Sequence, residues 1–290
     1  MAPDKSTDDI ETLNKEPGTV ARFFISGWSN IVRMMASNAL FIIFNIPALI
    51  FAGFMSMQFV PWLAPFFIDV DSYIDPVTGN DDAVIQLYFL LVLFLMMLLV
   101  SSALICIGPF QTGFAQVYKD IRNNTSVSFF TSFKTGIKTG WKKGIVSMII
   151  GIVITPVLLL AAGFYLNFHS TVGTIIGVVF IVLFFMFILI QNFVYTLVVS
   201  TDLKLGKIYK NAILFLFIKL LPGIGAALVV LVFYILIPFL LLLSASYLTL
   251  GIFMFLYSFL VVSWVQYFLS YYTGYLIDRY VAVNTDNKDL

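Results

Sequence analysis

Reactive side chains are nearly missing from this chain. It holds one cysteine and one histidine, and its two glutamates, Glu11 and Glu16, both fall in the first eighteen residues. A single cysteine excludes an intrachain disulfide. A single histidine, His169, excludes a histidine pair at metal-ligand spacing, and neither a Cys-x-x-Cys nor a Gly-Lys-Ser phosphate loop occurs. Charged residues make up only 11% of the chain, and none lies at depth in the long apolar runs, where ion-coupled carriers and pumps place them. The expectation is a protein without a catalytic site, metal or cofactor. A net charge of +1 offers no field for nucleic acid.

What is present is hydrophobic. Apolar residues make up 61% of the chain, and its mean hydropathy of +1.01 is too high for a soluble domain. Crossing a bilayer takes about 20 largely apolar residues, and six such runs are predicted at 36–59, 85–108, 144–166, 172–200, 221–243 and 249–275. All sixteen Lys and Arg fall between the pairs of runs or outside them: Lys5, Lys15, Arg22 and Arg33, then Lys119–Lys143, then Lys204–Lys219, then Arg279 and Lys288. The links within each pair carry none. Short basic loops stay cytoplasmic during insertion. The sequence therefore predicts an all-α membrane protein of six transmembrane helices in three hairpins, with both termini inside.

Residues 1–18 are polar and mixed in charge, with no short apolar core, so they read as a disordered cytoplasmic tail rather than a signal peptide. A single transmembrane domain then covers 19–280, and 281–290 form a cytoplasmic C-terminal tail. The bilayer is the first expected partner.

A basic aromatic segment precedes the second hairpin. Phe129, Phe133, Ile137 and Trp141 recur every four residues, with Lys134, Lys138 and Lys142 beside them. This is the pattern of a helix lying in the inner membrane interface, aromatic face in the acyl region. Residues 19–36 and 204–219 are weaker copies, so each hairpin is expected to follow a cytoplasmic interfacial amphipathic helix. Pro47, Pro156 and Pro238 fall in the first run of each pair. Together these suggest a unit repeated three times, as in many transporters, although prolines are common in membrane helices without shared ancestry.

Gly136, Gly140 and Gly144 are spaced by four, which lets a neighbouring helix approach closely. The link between the first two runs carries Asp69, Asp71, Asp75, Asp81 and Asp82; it reads as a solvated acidic loop, with calcium or a basic partner as its alternatives. Cys106 falls inside the second run and reads as inert packing. The polar residues left at depth are amides and hydroxyls: Asn38, Asn45, Gln191, Asn192, Ser263 and Gln266. Such groups serve as interhelical glue or contact a neutral polyol or sugar.

Four stretches resemble the YesL-like family of Gram-positive bacterial membrane proteins, a domain of unknown function. They are Asn38 to Pro47; the run Ile107-Gly108-Pro109-Phe-Gln-Thr-Gly-Phe-Ala-Gln-Val-Tyr118 with Lys119 and Arg122; the basic aromatic helix 129–144; and Asp202 to Pro222. The resemblance covers about 19–280. It implies a multi-pass bacterial plasma-membrane protein, often encoded beside carbohydrate ABC importers, and it carries over no catalytic residue. The expected function is an accessory or assembly subunit of such an uptake system or of another envelope complex, with importer permeases as candidate partners. An uncoupled permease or channel for a small neutral solute is the alternative, and envelope-lipid or cell-wall handling a third.

Overall fold

The computed structural model describes residues 18–63, 81–168, 170–243 and 246–281, and every regular element among them is a helix. The tails, most of the acidic link with Asp69, Asp71 and Asp75, and His169 lie outside the described residues, as do Lys5, Lys15 and Lys288.

Helix α1 (Thr19–Ser29) meets α2 (Ile31–Phe44) at Asn30, and α2 meets α3 (Ile46–Leu63) at Asn45. The second break has a covalent cause. Pro47 has no N–H to return to the preceding turn, and it is tolerated where it stands, in the first turn of a new helix. Helix α4 (Asp81–Ser101) stops seven residues short of the predicted end at Gly108. The chain then runs without regular helix to Ile107, with Ala103 at φ 59°. Helix α5 (Gly108–Arg122) restarts with Pro109 in its first turn. Cys106 therefore belongs to this irregular segment rather than to a membrane helix.

Helix α6 (Phe129–Leu166) is capped by the Ser128 hydroxyl and runs 38 residues without interruption, a length of about 57 Å. This corrects the expected division at Gly144 between an interfacial helix and a span. The lipid-facing reading of its aromatic stripe is corrected too. Phe129 and Phe133 are buried, with Phe133 stacked on Phe44 at 5.5 Å and 4.9 Å from Phe114. Trp141 is 48% exposed. Lys134, Lys138 and Lys142 are exposed, as their spacing predicts.

Helix α7 (Thr171–Ser200) is capped by Ser170, and α8 (Leu205–Ile218) is a separate helix before α9 (Leu220–Leu231). A π-helical turn, Val232–Leu236, joins α9 to α10 (Ile237–Leu243). The last pair, α11 (Tyr247–Phe259) and α12 (Val261–Tyr280), meets at Leu260 with a 44° bend. Four stretches are long and apolar enough to cross a membrane: Ile46–Leu63, Phe129–Leu166, Thr171–Ser200 and Leu221–Leu242. The bent pair makes a fifth when it is counted as one span.

Burial is inverted relative to a water-soluble protein. Asn38, Asn45, Gln191, Ser263 and Thr273 are wholly buried, whereas Ile50, Val172 and Leu221 are 66–81% exposed. A continuous apolar exterior of this kind is tolerated in lipid and not in water. The protein is a membrane-embedded helical bundle.

Candidate functional site

Five of the six buried amides share one role; the sixth, Gln111, donates to Gln266 Oε1 at 3.4 Å, and its own oxygen has no hydrogen-bond partner among the described residues. Each of the five carboxamide nitrogens donates to a backbone carbonyl: Asn38 to Tyr257 at 2.7 Å, Asn45 to Phe41 at 2.9 Å, and Gln191 to Ser147 at 2.9 Å. Asn192 reaches Ser102 at 2.8 Å, and Gln266 reaches Ser101 at 2.9 Å. Four of these acceptors lie at helix ends, and the fifth, Ser147, lies within α6. Ser101 and Ser102 end α4, where helical carbonyls lose their intrahelical partners, and Tyr257 sits in the last turn before the Leu260 bend.

The amide oxygens work on the other side of the same breaks. Asn38 Oδ1 accepts the Ser263 N–H at 2.8 Å, and Asn45 Oδ1 accepts the Ile107 N–H at 2.9 Å, just before α5 begins. In hydrocarbon an unpaired backbone group costs several kcal/mol, so every interruption needs a substitute partner. The amides expected at depth supply them. Gln191 Oε1 accepts instead from the Tyr209 hydroxyl at 2.9 Å, tying α7 to α8. Burial pushes that hydroxyl up to about 12, so it remains a neutral donor. Ser263 and Gln266 both lie within 3.4 Å of the buried Tyr118 hydroxyl.

The π turn follows the same logic. In an i→i+5 pattern, which the Ile237 N–H to Val232 carbonyl bond establishes, the partner of the Phe233 carbonyl falls at Pro238, which has no N–H. The Tyr257 hydroxyl donates to that carbonyl instead. Tyr234, also in this turn, donates to the Ser101 carbonyl at 3.3 Å.

Gly136, Gly140 and Gly144 form a seam against α5 rather than against lipid. A Cβ on Gly144 would stand 2.8 Å from the Gly108 carbonyl oxygen, one on Gly140 2.9 Å from Thr112 Cβ, and one on Gly136 2.6 Å from Gln116 Cβ. Gly108 from the family-like motif is the reciprocal half, since its own Cβ would overlap the Gly144 backbone. Pro109 starts the helix that presents this face. The seam continues past the spacing read from sequence: Ser147 is fully buried, and a Cβ on Gly151 would strike the Leu104 carbonyl. Their place on the same helical row was the available signal.

The third feature was missed altogether. An apolar groove with a cavity volume of about 580 Å³ runs between α1, α9 with its π turn, and α12. Phe23, Phe24, Phe233, Trp264 and Phe268 line it, and Lys219 stands among them. A smaller polar pocket of about 420 Å³ adjoins it at Tyr271, lined by Arg22, Ser26, Arg122 and the Asn123-Asn124 turn. Arg122 is ion-paired with Asp278 and lies 5.8 Å from the Tyr271 ring centre. Among the described residues no cluster of three metal-ligating side chains occurs.

No family model, curated protein or solved structure matches this sequence.

Proposed function

We propose that this chain is a non-enzymatic accessory or assembly subunit in the bacterial plasma membrane, working with a carbohydrate ABC-type uptake system or another envelope complex. One observation carries the non-catalytic, non-conducting half of this reading. Of the five amides that the sequence offers to a solute, four are bonded to backbone at helix breaks and the fifth, Gln191, to the Ser147 carbonyl within α6. A permease needs polar groups that exchange partners as solute passes, whereas these hold the fold. The association with uptake systems rests on the resemblance to the YesL-like family in the four stretches quoted above.

The same proposal includes a six-span topology. Spans are assigned to α2–α3, α4, α6, α7, α9–α10 and α11–α12, with both termini cytoplasmic. It is supported by the placement of the sixteen basic residues and by the positive-inside rule. Single cysteines at Lys138 and Thr171 in a Cys106→Ser background test it in intact cells. A membrane-impermeant thiol reagent should label position 171 and spare 138; the reverse pattern rejects the orientation.

The functional half is tested by gentle-detergent pull-down of tagged protein from its native membranes, with co-purifying subunits identified by mass spectrometry. Stoichiometric importer permeases are expected. Recovery of the chain alone, together with unchanged oligosaccharide uptake and importer abundance in a deletion strain, rejects the accessory role. Solute flux in proteoliposomes is then the measurement that favours an autonomous permease.

A further inference from the structure

The groove and the basic pocket form two halves of one amphiphile. On α12 the groove residues run from Trp264 to Tyr275, a rise of about 16 Å, close to the roughly 15 Å depth of one leaflet's hydrocarbon. Its walls are aromatic and aliphatic. The surface around it includes Val20 and Leu221, 71% and 81% exposed, so the groove opens toward lipid rather than toward water.

Charge gathers at one end only. Lys219 lies in the groove lining, and Arg22 and Arg122 line the adjoining pocket. The two cavities share Tyr271, whose hydroxyl donates to the Thr19 carbonyl at 3.2 Å, and they occupy neighbouring positions of α1: Phe23 faces the groove and Arg22 the pocket. Among the described residues no Asp or Glu lines either cavity, and Asp278 reaches Arg122 as its ion-pair partner. Arg33 adds a further cation on the other side of the same loop, donating to the Thr125 carbonyl at 3.2 Å.

The geometry points to a binding site for an anionic phospholipid, with one acyl chain in the aromatic groove and the phosphate held between Arg22, Arg122 and Lys219. Guanidinium and ammonium groups at the polar end match phosphate oxygens, and basic pockets between membrane helices are a recurrent way to hold acidic headgroups. The lipid's glycerol and ester region lies level with Tyr271 and Tyr275. The site goes beyond the accessory-subunit reading and does not depend on it.

The test uses the full chain, purified in mild detergent and delipidated. It is titrated with phosphatidylglycerol or phosphatidylcholine of identical chains, and bound lipid is read by native mass spectrometry. The wild type should hold phosphatidylglycerol about tenfold more tightly than phosphatidylcholine. Arg22→Gln with Lys219→Gln leaves the Arg122–Asp278 pair intact and should reduce that preference at least about fivefold. Val229→Trp, which fills the groove, should abolish retention of both lipids. Equal binding of the two lipids by the wild type overturns the proposal, as does an unchanged preference in the double variant. Displacement of bound lipid by inorganic phosphate alone overturns it as well, since that describes an anion pocket with no role for the chain. If Val229→Trp is not monodisperse on gel filtration, the double variant decides alone.

Discussion

The side-chain oxygen of Asn38 accepts the backbone N–H of Ser263 at 2.8 Å, across 225 residues of sequence. The same side chain donates to the Tyr257 carbonyl, so one asparagine spans both lips of the bend between α11 and α12. Asn38→Ala should lower stability by about 1–3 kcal/mol, the cost of leaving buried donors and acceptors unpaired. Ile43→Ala, at a 55% exposed position on the same helix, should change it by no more than about 0.5 kcal/mol. Thermal unfolding in detergent compares the two. Equal shifts would show that the bend holds without Asn38.

The π turn yields a double-mutant cycle. Tyr257→Phe removes the hydroxyl that donates to the Phe233 carbonyl and should cost about 1–3 kcal/mol. Pro238→Ala restores an N–H at the position where that carbonyl's helical partner is missing. Combined, the two changes should cost less than their sum, because the carbonyl is then served from within its own helix. Additive losses would mean that the Tyr257 hydroxyl acts elsewhere.

The glycine seam should rank its own substitutions. Gly144→Ala and Gly108→Ala drive a methyl into backbone and should each cost about 1–3 kcal/mol. Gly140→Ala meets only the Thr112 side chain and should cost less. Gly251, in α11, has nothing within 4 Å of an added Cβ, so Gly251→Ala should be neutral or stabilising by about 0.5–1 kcal/mol. The rank order in a thermal-shift series is the measurement.

Tyr209 gives a pH dependence of known sign. Burial raises its hydroxyl from 10.0 to about 12, so between those values the folded protein keeps a proton that the unfolded chain releases. Stability is therefore complete below pH 10 and falls as pH rises from 10 to 12. Tyr209→Phe should make that alkaline loss shallower while leaving the melting temperature between pH 7 and 9 independent of pH. An alkaline slope identical to wild type would place the titration on other groups.

Much of this was legible from residue types alone. The apolar runs identified a membrane-embedded helical protein, the four-residue glycine spacing pointed to a close helix contact, and the amides at depth were open to two readings, interhelical glue or solute contact. What stayed hidden depends on partners far away in the chain. Nothing near Ala103 signals a left-handed residue, because alanine is the strongest helix former and the break is held from outside by Gln266 and Asn192. Phe129 and Phe133 carry the amphipathic pattern expected at a lipid interface, and a buried face has the same pattern. Only Phe44 and Phe114, from two other helices, decide between them. The groove was invisible because its walls come from three separated segments, each unremarkable by itself.

The unbroken α6 has a mechanical consequence. A helix of about 57 Å is nearly twice the thickness of a bilayer's hydrocarbon, and no joint separates its lysine-bearing end from its apolar end. With roughly half its length beyond the hydrocarbon, a tilt of about 10° in the embedded part carries the far end through about 5 Å. Because α5 is clamped to that end through Gly108 and Gly144, the two would swing together as a lever. A change of lipid thickness or of a neighbouring subunit within the bilayer is thereby converted into displacement of a basic surface outside it.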